Sequence, residues 1–210
     1  MSDASDAIPA HGLSAVPTPW AELPTEAAAH VLPLMEKGLD QDWSRPAGET
    51  DWSLRELIDH ITLGVMGYAG LLVARPADRY IALRTGNDPH APVAECLESI
   101  TIAATLLSHT VRATGPEVRA HHPWGTSDRT GFAAMGAVEI LVHAHDMTRT
   151  LGFDWTPPDD LAEPVVERLF PAAPAGHAPG RTLLWACGRV ALPGLPRLPR
   201  GGWQWSGEVR

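Results

Sequence analysis

The sequence predicts an all-α fold, an antiparallel four-helix bundle with a small C-terminal α/β appendage. Apolar residues recur at helical spacing in four long segments separated by turn-forming stretches. No convincing strand interrupts those segments. From Gly152 onward the texture changes, and short apolar runs there fit helix or strand equally. Three regions follow: a disordered leader over residues 1–19, the bundle over 20–155 and a short C-terminal extension over 156–210.

The leader carries two acids and neither Lys nor Arg before the first helix, so it lacks the basic start of a secretory signal. The stretch LPTEAAAHVLPLMEKGLDQDW reads as the first helix, with Pro33 expected to kink it or mark a late start. The second opens at Ser53, which with Glu56 three residues later forms a capping box. Leu54, Leu57, Ile58, Ile61, Val65 and Leu72 give it an apolar face, and ARPADR closes it. RTGNDPHAP is turn chemistry. The third helix runs from about Val93 to Ala113, with Leu97, Ile100, Ala104, Leu107 and Val111 on one face. A long loop, TGPEVRAHHPWGTSDRTG, leads to the fourth, from about Thr130 to Leu151. In the extension, LAEPVVERLFP suggests a short helix, RTLLWACGRVALP fits either helix or strand, and GGWQWSGEVR suggests a strand or hairpin edge.

Composition narrows the function. Hydrophobic content of 44% and charged content of 20% are those of an ordinary soluble protein. No run is expected to reach the apolar length of a membrane span, and a cytoplasmic location is expected. The net charge is −9 and no basic cluster is visible, which argues against a nucleic-acid partner. Lys37 is the only lysine; arginine in its place, with abundant Ala, Gly and Pro, points to a GC-rich genome. Cys96 and Cys187 belong to no Cys-x-x-Cys pair and read as plain buried thiols. The eight tryptophans are more than usual, and Trp203 and Trp205 are expected to pack on the bundle.

The chemistry concentrates in VEILVHAHDMTR. Glu139 and His143 lie four residues apart, so their side chains leave the fourth helix from nearly the same side. Together they can chelate a divalent cation, and His60, mid-helix beside an apolar stripe, is the natural third ligand. Two His and one Glu leave a position open, as catalytic rather than structural zinc requires, and Ni, Co, Mn or Fe accept the same donors. The bland alternative is a pair of core histidines and a solvated acid. Asp146, one turn beyond His143, either orients that imidazole or is solvated, the former being favoured. His145 points away from the site, and His121 and His122 are expected at the surface of their loop. His30, His90, His109 and His177 have no partner spacing.

DWSLRELIDHI resembles the second-helix signature of the DinB-like metal-binding bundles, in the mycothiol-dependent maleylpyruvate isomerase branch. EILVHAHDM resembles the fourth-helix signature of the same branch. The resemblance covers about residues 20 to 155 and implies a metal triad of His60, Glu139 and His143, with Asp146 following. The tail is similar to the short extensions of actinobacterial members, shorter than the C-terminal domain of the isomerase itself. The isomerase holds its dicarboxylate with arginines, and Arg181, Arg189 and Arg197 do not align with them. The family implies a metal-held thiolate, with mycothiol as cosubstrate, acting on a small electrophile by S-conjugation or by cis–trans isomerisation. His121, His122 or Arg129 would then supply proton transfer or anion contacts. The alternative is a non-catalytic accessory bundle that binds a metal or a small ligand.

Overall fold

The computed structural model describes residues 18–84 and 86–209, so most of the expected leader lies outside the described residues. Six helices follow in order: α1 (Thr18–Glu36), α2 (Leu54–Ala74), α3 (Val93–Ala113), α4 (Arg129–Leu151), α5 (Asp159–Leu169) and α6 (Pro179–Ala186). The first four form the bundle, and α5 and α6 pack together, with α5 against α4.

Contacts between named residues give the helix directions. Thr62 meets Ser99 at 2.7 Å, and Arg55 donates to the carbonyls of Asp88 and Ala91 just ahead of α3, so α2 and α3 start at the same end. Tyr68 stacks on Phe132 while the earlier His60 meets the later His143, which makes α4 antiparallel to α2. Arg112 near the end of α3 pairs with Glu22 near the start of α1. Hence α1 and α4 run one way, α2 and α3 the other. The bundle is antiparallel as two against two, and consecutive helices α2 and α3 are parallel neighbours.

That arrangement explains residues 75–92. A helix of 21 residues is about 31 Å long, and the chain must travel that distance back before α3 can begin. Pro76 ends α2, with Arg75 in the left-handed region at φ 50°. The return strap then runs back along α2, with Tyr80 against Gly67, Ile81 against Gly70 and Asn87 donating to Asp59. A Cβ at Gly70 would sit 2.5 Å from Ile81 Cδ1, so a larger residue there would push that side-chain tip aside.

The capping box forms as expected: Ser53 Oγ accepts from the Glu56 N–H, and Glu56 accepts from the Ser53 N–H. The first helix departs from expectation, starting at Thr18, ending at Glu36 and continuing through both Pro24 and Pro33. Ala27, Ala28, Val31 and Met35 are buried along it. Tertiary burial therefore outweighs a cost of roughly 3 kcal/mol for each interior proline. One described helix, α2, is long and apolar enough to cross a membrane, contrary to the expectation that none would be. Its apolarity is explained by the bundle, since Leu54, Leu57, Ile58, Ile61, Val65 and Leu71 are all buried in the core.

The appendage is helical rather than α/β. RTLLWA lies in α6, and no strand is present among the described residues, only three isolated bridges, of which Leu192 with Leu195 is the one in the appendage. In the final segment Ser206 donates to the Leu169 carbonyl and Gly207 to that of Trp124. Two bonds to two different elements make an anchor, not a ladder. Trp205 is buried beneath it, so the tail does pack on the body of the protein.

Candidate metal centre

Crossing α4 antiparallel to α2 brings His60 opposite His143, with Glu139 one turn away on the same face of α4. His143 Nε2 lies 3.2 Å and His60 Nε2 3.5 Å from Glu139 Oε2. One ligand atom from each of the three residues lies within 4.8 Å of the other two. Both sites on α4 are deeply set, with Glu139 and His143 side chains only 11% and 10% exposed.

The neighbours fix each donor. His143 Nδ1 is 3.1 Å from Asp146 Oδ2, and Arg189 clasps the same carboxylate at 2.8 and 3.2 Å. Burial pushes the Asp146 carboxyl up, but His143 and Arg189 outweigh it and hold the group below the usual carboxylate range. An ionised Asp146 accepts only, so Nδ1 of His143 carries the hydrogen and a neutral ring presents its lone pair at Nε2. Tyr68 donates to Glu139 Oε1 at 2.9 Å, leaving Oε2 toward the two imidazoles. Trp52 stacks on His60 with centroids 4.1 Å apart, placed there because the capping box fixes the chain just ahead of α2.

Electrostatics test whether the set fits a cation. Burial pushes Glu139 up, yet hydrogen bonds from His143 and His60 and their charge hold it well below the usual range. Burial pulls His143 down, and its bonds to Asp146 and Glu139 more than reverse that. Two imidazole nitrogens converging on one carboxylate oxygen need positive charge between them, from protons or from a metal. Nitrogen, nitrogen and oxygen donors with room for a further ligand fit a divalent cation such as zinc.

The cluster floors a cleft of about 250 Å³ walled by Trp52, Trp124, Trp203, Trp205, Val138 and Val142, with Cys187 and Arg189 at its side. A second chamber of about 420 Å³ shares Trp52, Trp124, Cys187, Arg189 and Trp203 and adds Glu49, Asp51, Arg149, Arg197 and Arg200. Arg197 grips Glu49 through both nitrogens at 2.7 and 2.8 Å, and Arg200 pairs with Asp51 at 2.7 Å. Arg189 also lies over the Trp203 ring, 5.5 Å from its centroid.

Of the residues read from sequence, His60, Glu139, His143 and Asp146 come together. Arg181 donates to the Ala191 carbonyl and does not line either cavity. His122 is buried, against expectation, packed among Tyr68, Tyr80, Trp124 and Trp205. It lines neither cavity, nor do His121 and Arg129, and Arg129 bonds the Thr114 carbonyl. His145 bonds the Trp155 carbonyl, away from the cluster. Both cysteines are free and buried, as expected. Burial pushes the Cys187 thiol far up, so it is an inert wall rather than a nucleophile. Sequence reasoning missed Tyr68, although it stands eight residues after His60 on a shared helix face. The pairing of Arg189 with Asp146 had no local signal, since tertiary folding alone joins them.

The family model described as the mycothiol maleylpyruvate isomerase N-terminal domain matches residues 23–148, more than half of the chain. The match takes in His60, Tyr68, Glu139, His143 and Asp146 and stops before Arg189 and the tail. No curated protein and no solved structure matches the chain significantly.

Proposed function

We propose, from the premise that the chain belongs to the mycothiol maleylpyruvate isomerase family through its N-terminal domain, that it is a cytoplasmic, metal- and thiol-dependent enzyme. It uses mycothiol on a small electrophilic metabolite, as an S-transferase or a cis–trans isomerase. The observation that carries this reading is the convergence of His60, Glu139 and His143 at the floor of a ligand-sized cleft. Zinc suits this donor set best, and Ni, Co, Mn or Fe accept it.

A divalent cation held there supplies Lewis acidity, which keeps a thiol deprotonated at neutral pH. The chain's own residues do the rest. Asp146 holds the proton of His143 on Nδ1, and Tyr68 holds Glu139 by its other oxygen. Trp52 covers His60 on one side, while Trp203 and Trp205 wall the cleft on the other, so water is displaced when a reactant fills it. Arg189 sets a cation where the cleft meets the chamber, at the entry of an anionic reactant. In transfer, a C–S bond forms and a leaving group departs with its electron pair. In isomerisation, the thiolate adds to an activated double bond, the resulting single bond rotates, and C–S cleavage returns the thiolate.

Metal content per chain, measured by mass spectrometry on protein purified without chelator or metal-affinity resin, tests this beside His60→Ala. About one divalent ion per wild-type chain, lost in the variant, is expected. Thiol consumption with a panel of electrophiles should then disappear in the variant. Protein that takes up no metal after zinc is offered refutes the reading. Metal without thiol consumption leaves the accessory binding bundle.

A further inference from the structure

We propose that the outer face of α2 and α3 docks a second copy of this chain, turned antiparallel across a two-fold axis. This face is separate from the metal centre, since Met66 and Val73 leave α2 about 120–140° round the helix from His60.

The bundle core accounts for only part of the apolarity of α2, because just 56% of its most apolar stretch is buried within one chain. From His60 to Ala74 it carries no Asp, Glu, Lys or Arg, and neither does α3 from Ser99 to Val111. Thr62 and Ser99 mark the seam where the two helices touch. Met66 and Val73 follow Thr62 by about one and three turns, and Ile102 and Leu106 follow Ser99 by about one and two, so all four border that seam from outside. Val73 is 71%, Ile102 55% and Leu106 44% exposed. The strap, with Tyr80 and Ile81 on Gly67 and Gly70, covers the neighbouring flank of α2 instead.

Charge at the ends of the face says what covers it. Glu95 and Glu98 are exposed where α3 begins. Arg75 and Arg112 are exposed where α2 and α3 end, Arg112 also reaching Glu22. An antiparallel copy lays the acidic end of each face on the basic end of the other, and the two-fold axis makes that match twice. The axis then passes near Thr105, midway between Glu98 and Arg112, with Ile102 and Leu106 to either side. A parallel copy would set acid on acid, and a lipid surface would gain nothing from an acidic end. The uncharged centre is about 20 Å long and two helices, about 20 Å, wide, which gives roughly 400 Å² a side before side-chain relief. That is the scale of an interaction patch, and its charged ends extend it toward the roughly 800 Å² a side that a stable complex buries.

Sedimentation velocity on the full-length protein, over a hundredfold range of concentration, reads the oligomeric state directly. A dimer is expected, dissociating at about micromolar concentration. Ile102→Glu, at a position exposed in the single chain, is expected to weaken association at least tenfold, since the two-fold axis brings both new carboxylates into the contact. Its zinc content should not change. Glu98→Arg and Arg112→Glu chains are each expected to associate with themselves about fivefold more weakly and to recover on mixing, because only the mixed pair sets acid on base at both ends. A chain that stays monomeric throughout overturns the proposal, as does a dimer that Ile102→Glu leaves intact or that mixing fails to recover. Monomeric protein held on phosphatidylcholine vesicles and released by Ile102→Glu also overturns it, and assigns the face to a lipid surface.

Discussion

Tyr68 holds Oε1 of Glu139 at 2.9 Å, so the carboxylate reaches the cluster through Oε2 alone. Replacing it with Phe keeps the ring packed on Phe132 and removes only the donor. Tyr68→Phe is therefore expected to weaken zinc binding about tenfold with little change in melting temperature, as loss of an orienting hydrogen bond does elsewhere. Competition against a chromophoric chelator reads this directly; unchanged affinity would mean Glu139 needs no such support. His122 makes a different prediction. Burial lowers its pKa from 6.5 to about 4, so between those values the unfolded chain binds more protons than the folded one. Stability must then fall as pH drops from about 6.5 toward 4, and rise in the reverse direction. His122→Asn keeps an acceptor for the Trp124 N–H and cannot titrate, so its melting temperature should vary less across that window. A variant whose pH profile matches the wild type would place the titration elsewhere. Sequence put this residue at the surface because polar loops are usually exposed, and nothing local announces that Tyr68, Tyr80, Trp124 and Trp205 surround it.

Helix α4 is held at its start by Asp128, whose carboxylate accepts from the Gly131 N–H at 2.9 Å and from Arg168 at 3.2 Å. Burial raises the Asp128 pKa, but these bonds and Thr130 more than offset it, leaving the group depressed. Its contribution is thus present above the ordinary value of 3.8 and lost as pH falls through the depressed one. Asp128→Ala is expected to cost about 1–2 kcal/mol at pH 7, mostly as a lost cap, and progressively less below pH 3.8. Urea melts at the two pH values decide it; an equal loss at both would mean the charge is irrelevant. The starts and faces of α2, α3 and α4 were legible because an apolar face must repeat every 3.6 residues and a cap must follow local rules. Helix direction was not, since periodicity is blind to it. The long turn-rich stretch over residues 75–92 was the available clue that α3 starts back at the beginning of α2. Pro33 misled for a related reason: propensity is local, whereas the burial that overrides it comes from α3 and α4.

At the scale of the molecule, the site has two origins. Its floor lies on α2 and α4, where helical spacing paired Glu139 with His143, and His60 was read from its mid-helix place beside an apolar stripe and from the family resemblance. Its walls come partly from the tail, through Arg189, Trp203 and Trp205, which no spacing connects to the bundle. Folding joins them by two backbone anchors, Ser206 to Leu169 and Gly207 to Trp124, and by burial of Trp205 against Trp124 at 4.4 Å. The floor and the walls should therefore be separable. Deleting residues 199–210 removes both tryptophans and both anchors while leaving Arg189 on Asp146 and every residue of the cluster in place. The shortened chain is expected to keep about one zinc per chain, since its donors and their supports are all retained. It should also melt several degrees lower, having lost a packed tryptophan wall. Zinc titration and a thermal melt on the same preparation give both numbers. Zinc lost with the tail would mean the cluster depends on its walls for assembly, and an unchanged melting temperature would mean that the tryptophan wall lends the bundle no stability.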